Sequence, residues 1–194
     1  MTIEIVTDEI AGVKKGASMT FTQADSGNVN PDYVSHTATA GNCPACVLCF
    51  KARLDGFNVQ AKPYDETNEI MFQVSENTNF GLIDKNTGVF PEYIKPKEKY
   101  MPRLLSWFTN FLENDVFYSI EFYWKDLTPD GHIMVIFKNQ DQLFMYDPQT
   151  NELLQTNRIR NFLYRVRLGT IKLLNLSNCF LNKAVVDYML EARK

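Results

Sequence analysis

Three residues stand at positions from which they can form a nucleophilic site. Cys43 follows Asn42 where a helix is expected to begin, and the helix dipole with the unpaired amides of the first turn stabilises a thiolate there. The chain has two histidines: His132 begins an apolar segment, whereas His36 lies in an irregular region. Asp147 ends the next apolar segment. We therefore predict a thiol nucleophile, a histidine base and a carboxylate that orients the base.

The segments that carry the histidine and the aspartate predict an antiparallel meander. Three apolar runs are separated by turn residues at 128–131 and 139–141; the runs are 116–124, 132–138 and 142–146. A hairpin brings its two outer ends together, so we expect Asp147 to accept a hydrogen bond from His132. That bond would fix the imidazole tautomer and support its charged form.

The segment 43–55 predicts a helix surrounded by protein. Asn42 suits the N-cap, Pro44 suits the first turn because its missing N–H would be unsatisfied there, and Gly56 suits the residue after the helix. Residues 45–50 are apolar on every side of this helix. Such a pattern is typical of a helix that has no face exposed to water.

The remaining elements complete the expected fold class. The aromatic residues of 117–124 are interpreted as core and cross-strand packing. A helix followed by a mostly antiparallel sheet predicts one α+β domain over residues 1–194, with the N-terminal helix packed on the sheet. Further predictions are an irregular lead-in over 1–40, a strand in 57–61, a loop region with small elements over 63–98, a helix over 101–112, a strand over 171–176 and a closing helix over 182–193.

Composition narrows the classes of protein that the chain can represent. Its 194 residues are 45% hydrophobic, enough for one globular core. With 20 Lys+Arg against 23 Asp+Glu, the net charge of −3 argues against nucleic acid as a partner. No apolar run approaches the roughly 20 residues of a membrane span. The first residues lack the basic and apolar regions of a signal peptide, so we expect a soluble protein with no membrane partner.

The other three cysteines leave alternatives open. Cys49 and Cys179 fit packing roles, because free cysteine is among the most buried residue types. Cys46 lies one turn beyond Cys43 and is either a packing residue or a redox partner that blocks the nucleophile in a Cys43–Cys46 disulfide. The four cysteines also suit an iron–sulfur cluster, but their helical setting disfavours it, and no second Cys or His pair supports zinc. We expect no metal and no cofactor.

Three sequence blocks, taken in order, form a recognisable pattern within about residues 28–150. The blocks are Gly41-Asn-Cys-x-x-Cys-Val with its helix, Gly131-His132, and Asp147-Pro-Gln-Thr. Together they resemble the papain-fold toxin family of bacterial protein-glutamine deamidases. Family motifs often continue with glycine where this chain has Asn151, a residue type that also tolerates left-handed backbone.

The resemblance implies a papain-like fold in which Cys43, His132 and Asp147 form a catalytic triad. It also implies that Asn42 and Gln149 lie near the site. We expect the oxyanion to be held by the backbone N–H of Cys43 and by a neighbouring donor, Asn42 or Gln149.

The expected activity is the conversion of a glutamine in a protein substrate to glutamate, with release of ammonia. The same triad supports peptide hydrolysis or transglutamination, since only the acyl donor and the acceptor differ. A catalytically silent virion or interaction protein is the alternative from another class. The lead-in Gly27-Asn-Val-Asn-Pro-Asp and the Cys43 block are also similar to toxin-type domains of phage head-morphogenesis proteins. That second similarity favours carriage in a phage particle over release through a bacterial secretion system. We expect a toxin or effector that is delivered into a target cell or carried in a phage particle.

Overall fold

Helices and antiparallel strands build the chain in the computed structural model, which describes residues 1–25, 27–125 and 131–193. Helices account for 30% and strands for 28%, so the structure is mixed α/β with antiparallel sheets, as an α+β fold requires. The helices are α1 (Phe21–Ala24), α2 (Cys43–Leu54), α3 (Glu69–Glu76), α4 (Met101–Phe111), α5 (Asn157–Leu163) and α6 (Lys183–Met189). The strands are β1 (Glu9–Ile10), β2 (Val13–Lys14), β3 (Val59–Ala61), β4 (Leu82–Asp84), β5 (Phe117–Tyr123), β6 (Gly131–Asn139), β7 (Gln142–Asp147), β8 (Glu152–Gln155), β9 (Lys172–Asn175), β10 (Cys179–Leu181) and β11 (Leu190–Ala192).

Most strongly patterned segments form the predicted elements. The helices over 43–55 and 101–112 are confirmed as α2 and α4, and the meander is confirmed as β5, β6 and β7. The predicted turn over 128–131 falls mostly outside the described residues. The closing helix is wrong at its end, because α6 stops at Met189 and the chain continues as β11, paired with β3. The patterns also missed the eight-residue helix α3, the strand β8 and the helix α5.

Two compact units divide the chain. The first contains Met1–Pro91, Pro148–Asn151 and Asn178–Lys194. The second contains Glu92–Asp147 and Glu152–Ser177. Organisation as a single domain with α2 packed on the main sheet stays a prediction.

The second unit is a five-stranded antiparallel sheet with two helices. Its strand order is β8-β7-β6-β5-β9. Alternate residues of the strands form one buried hydrophobic cluster with α4 and α5, and each such side chain contributes about 1.5–3 kcal/mol by leaving water. The fully buried members include Leu104, Phe108, Ile120, Ile136, Met145, Ile159, Leu163 and Leu173.

The first unit surrounds α2, as the all-round apolar pattern predicts. Residues 45–50 are all buried, and α2 contacts α1, α6, β3 and β10. Arg53, near the end of α2, is also buried. Its guanidinium donates to the backbone carbonyls of Ala24, Gln23 and Val59 at 2.9, 3.1 and 3.1 Å. These bonds satisfy the buried charge and join the end of α1 to the start of β3.

Gly56 ends α2 in the left-handed conformation that its position after the helix predicts. Its φ is +108°, and a Cβ on this residue would lie 2.5 Å from the carbonyl oxygen of Gly16. The two backbones are hydrogen-bonded, since the Gly16 N–H donates to the Gly56 carbonyl at 2.9 Å. Glycine therefore permits both the turn of the chain and the close approach of the lead-in.

Replacing Gly56 with alanine is expected to lower the free energy of unfolding by about 2–4 kcal/mol, because backbone strain and a steric clash add together. The matched control is Gly88→Ala. Gly88 also has a positive φ, +73°, but no atom lies within 4 Å of its Cβ position. The control should cost about 1 kcal/mol. Thermal unfolding of both variants measures the difference, and equal losses would contradict the role of the close approach.

Candidate active site

The strand register explains why His132 and Asp147 meet in the second unit. Side chains alternate along a strand, so His132 and Met134 point to the same face of β6. Val135 lies opposite Tyr146 of β7. The next residue, Asp147, therefore points to the face of Met134, diagonal to His132. Nε2 of His132 lies 3.0 Å from Oδ2 of Asp147, so the structure brings together the two residues as the hairpin predicts.

This contact determines the tautomer of His132. A carboxylate only accepts hydrogen bonds, so the imidazole Nε2 carries the hydrogen and donates it to Asp147. The neutral ring then has its basic lone pair on Nδ1. Both side chains are largely buried, with 13% and 10% of their surfaces exposed, which strengthens the bond relative to one in water. The pair has the geometry that a histidine base with an orienting carboxylate requires.

Two aromatic rings from β5 and its end fix the plane of the imidazole. Trp124 stacks on His132 with ring centroids 6.0 Å apart and an interplanar angle of 19°. Phe122, the cross-strand neighbour of His132, makes an edge-on contact with its ring at 6.0 Å. The sequence assigned Trp124 only to packing. Its contact with His132 depends on the β5–β6 register and has no local signal in the sequence.

Cys43 occupies the first position of α2 in the first unit, as predicted. It is half-buried, whereas Cys46, Cys49 and Cys179 are buried, and none of the four forms a disulfide. Burial raises the pKa of both Cys49 and Cys179 to about 12, so these two thiols are protonated at neutral pH. Their expected packing role agrees with this environment. The Cys43–Cys46 disulfide stays a prediction.

Asn42 stands at the N-cap position, but the predicted capping bond is absent from its described contacts. Its Oδ1 instead accepts from the Cys46 thiol at 3.3 Å and from Nε2 of Gln149 at 3.1 Å. Its Nδ2 donates to Oδ1 of Asn30 at 3.2 Å. The side chain that should cap the helix is thus turned toward two other buried amides. We call Asn30, Asn42 and Gln149 the amide cluster.

Backbone carbonyls fix the orientation of every side chain in the amide cluster. All three members are buried, with exposed fractions of 7%, 2% and 5% in sequence order. Only an NH2 group can donate to a carbonyl, so each amide has one possible orientation. The donations are Asn30 to Thr39 at 2.9 Å, Asn42 to Lys62 at 2.9 Å, and Gln149 to Ala40 at 3.0 Å.

These bonds change the role expected for Asn42 and Gln149. The two N–H bonds of Asn42 point at Lys62 and Asn30, and those of Gln149 point at Ala40 and Asn42. The geometry assigns both side chains to positioning the start of α2, in place of the expected donation to an oxyanion. Asn151, in the same turn as Gln149, has a φ of +60°, the left-handed conformation in which asparagine can replace glycine.

Asn30 is a site residue that sequence reasoning missed. Besides Thr39, its Nδ2 donates to the backbone carbonyl of Gln149 at 3.2 Å. It therefore contacts both other members of the amide cluster. The sequence signal for Asn30 is its place in the Gly27–Asp32 block, which is similar to toxin-type domains but predicts no contact of this side chain.

Two further properties of the described residues bear on the expected function. Within residues 1–25, 27–125 and 131–193, no group of three or more His, Cys, Asp or Glu side chains gathers as metal ligands do. These residues therefore contain no ligand set of the kind that an iron–sulfur cluster would need. No described helix has the length and apolar character needed to cross a membrane.

Comparison of the chain with known protein families finds no family model that matches it, and comparison with curated proteins finds no match. The functional conclusion therefore depends on the residues and their geometry.

Replacing Asn30 with alanine is expected to lower the free energy of unfolding by about 2–4 kcal/mol, because one buried N–H and two carbonyls lose their partners. The matched control is Asn28→Ala, a half-buried asparagine two residues earlier whose side chain has no hydrogen bond among the described residues. The control should change stability by less than about 0.5 kcal/mol. Denaturant unfolding measures both, and a neutral Asn30→Ala would contradict the amide cluster.

Proposed function

We propose that the chain is a cysteine-dependent protein-glutamine deamidase with a papain-like fold. The observation that carries this proposal is the 3.0 Å bond between His132 and Asp147, which makes a base of defined tautomer. Cys43, at the first position of a buried helix, supplies the nucleophile. The reaction needs this thiol and the imidazole to act on one carboxamide. A helix headed by cysteine and an antiparallel sheet with histidine and aspartate on adjacent strands support the papain-like fold.

In the first half-reaction, Nδ1 of His132 takes the proton of the Cys43 thiol. The thiolate attacks the carbonyl carbon of a glutamine side chain, and a C–S bond forms. The tetrahedral intermediate collapses when the imidazolium protonates the amide nitrogen. The C–N bond then breaks and ammonia leaves, so the product of this step is a thioester on Cys43.

In the second half-reaction, water replaces ammonia. His132, neutral again, removes a proton from water as the oxygen attacks the thioester carbon. The C–S bond breaks, the thiolate of Cys43 is restored and glutamate remains on the substrate. Asp147 keeps the imidazole in one tautomer throughout and stabilises its charged form twice per cycle.

The backbone N–H of Cys43 is the donor that we assign to the oxyanion. The first-turn amides of a helix have no partner within the helix, and no side-chain bond caps α2 among the described residues. Pro44 has no N–H to offer. The amide cluster holds the chain immediately before Cys43, so this donor is fixed before the substrate arrives.

The proposed partner is a protein that presents a glutamine to this site, and no cofactor takes part in the steps above. Delivery by a phage particle or a secretion system remains part of the proposal as the resemblance implies it. Peptide hydrolysis and transglutamination use the same thioester chemistry with another donor or acceptor. Mass spectrometry separates them, since a protease yields fragments, a transglutaminase yields amine adducts and a deamidase yields Gln-to-Glu changes.

Cys43→Ala is expected to abolish ammonia release, because alanine cannot form the thioester. The measurement is proteome-wide mass spectrometry of cells that express the parent or the variant, with Gln-to-Glu conversion as the readout. Cys49→Ser is the matched control, since this buried thiol only donates to the Val59 carbonyl at 3.5 Å. The control should retain conversion. If Cys43→Ala converted the same glutamines as the parent, the proposed nucleophile would be wrong.

Asp147→Asn is expected to lower kcat by a factor of about 10²–10⁴, because an amide NH2 can donate to Nε2 and favour the wrong tautomer. Asp141→Asn is the matched control: it removes the same charge from the same hairpin, at an exposed turn between β6 and β7. Steady-state ammonia release measures both variants. A loss shared by both would indicate a charge effect, and the orienting role of Asp147 would then be wrong.

A further inference from the structure

Positive charge is concentrated in one part of this acidic chain. Residues 153–186 contain six Lys and Arg and no Asp or Glu, although the whole chain carries a net charge of −3. Four of the seven arginines lie within ten residues, 158–167. A surface with one sign of charge attracts a partner of the opposite sign.

In the second unit, the structure folds part of this segment onto the end of β5. Trp124 and Val166 form an antiparallel bridge. The Lys125 N–H donates to the Arg165 carbonyl at 2.8 Å, and the Arg167 N–H donates to the Tyr123 carbonyl at 2.9 Å. These backbone bonds fix the positions from which the charged side chains extend.

Four exposed cations lie on this bridge and on the adjacent helix α5: Lys125, Arg160, Arg165 and Arg167. We call them the basic ridge. Among the described residues, ion pairs involve neither Lys125, Arg160 nor Arg165, whereas the neighbouring Arg158 pairs with Glu152 and Lys172 pairs with Glu121. Lys125, Arg160 and Arg165 therefore present positive charge to solvent that no carboxylate among the described residues pairs with.

One aromatic ring separates the basic ridge from the catalytic base. The Arg165 guanidinium lies 5.0 Å from the centroid of the Trp124 ring, and the same ring stacks on His132. Tyr123 and Tyr164, 44% and 51% exposed, lie beside the ridge. Arg160 lies over the Tyr164 ring, 6.0 Å from its centroid. The surface beside His132 thus combines cations with exposed rings, the composition of a protein-binding surface.

We propose that the basic ridge docks an acidic segment of the substrate protein and thereby selects glutamines that lie next to aspartate or glutamate. This inference rests on the proposed deamidase reaction and names its substrate class. Opposite charge would steer the segment toward His132 and hold it while the carboxamide reacts. Nucleic acid is the less suitable ligand, because the rest of this acidic chain repels an extended polyanion.

The experiment uses the full chain and fluorescent peptides in which a glutamine is flanked by two glutamates, two serines or two lysines on each side. Fluorescence anisotropy with the Cys43→Ala variant measures binding without turnover, and ammonia release with the parent measures kcat/KM. At low ionic strength, the acidic peptide should bind at least about tenfold more tightly than the serine peptide. The preference should disappear at about 1 M salt, where the screening length is about 3 Å.

Arg160→Glu is the test variant and Arg103→Glu is its matched control. Both residues are exposed arginines on helices of the second unit, and both substitutions change the net charge equally. Arg160→Glu should lose most of the acidic-peptide preference, whereas Arg103→Glu should retain it. Equal effects of the two variants, or equal binding of the three peptides, would overturn the basic ridge as a docking surface.

Two outcomes separate this inference from the proposed reaction. If the acidic peptide binds through Arg160 but the parent releases ammonia from no peptide, the docking surface stands and the reaction is wrong. If all three peptides are deamidated with equal kcat/KM, the reaction stands and the docking surface is wrong. A single-stranded DNA probe that binds through Arg160 more tightly than the acidic peptide would also overturn the inference.

Discussion

Buried amides must find partners for all their N–H bonds, and this requirement organises the start of α2. Asn30, Asn42 and Gln149 satisfy one another and four backbone carbonyls, so no other orientation of any side chain is compatible with the set. The partners come from segments more than 100 residues apart in the chain. Because the Asn42 side chain belongs to this cluster, it makes no capping bond to α2 among the described residues. The cluster instead holds the backbone immediately before Cys43 in one position.

The contact between His132 and Asp147 in the second unit has a simpler origin, the alternation of side chains in a hairpin. His132 opens β6 and Asp147 ends β7, and the register sets them on one face. Because both lie on strands of a five-stranded sheet, their separation is fixed by many backbone hydrogen bonds. Trp124 then connects this rigid pair to exposed cations of the same unit. The proposed base, its orienting carboxylate and the proposed docking surface thus all belong to the second unit.

The sequence predicted those parts of the fold whose cause is local. Apolar periodicity and turn residues predicted α2, α4 and the strands of the meander, and the return of the chain in the hairpin predicted the His132–Asp147 contact. The end of the chain was mispredicted because Leu190–Ala192 has helix-forming residues but gains a partner strand in β3. Asn30 and Trp124 were missed for the same reason: their contacts join residues whose proximity only the folded backbone creates. The helix α3 had a local signal in the Asn68 cap, which accepts from two first-turn amides.

The environments of the four cysteines determine which thiol of the folded chain can react. Burial raises the pKa of Cys49 and Cys179 to about 12, so both thiols stay protonated at neutral pH, and the Cys46 thiol donates its hydrogen to Asn42. All three are shielded from solvent. Toward an electrophile, the folded protein is therefore expected to react mainly at Cys43, the thiol that is only half-buried. The burial that stabilises the core also directs sulfur chemistry to the head of α2.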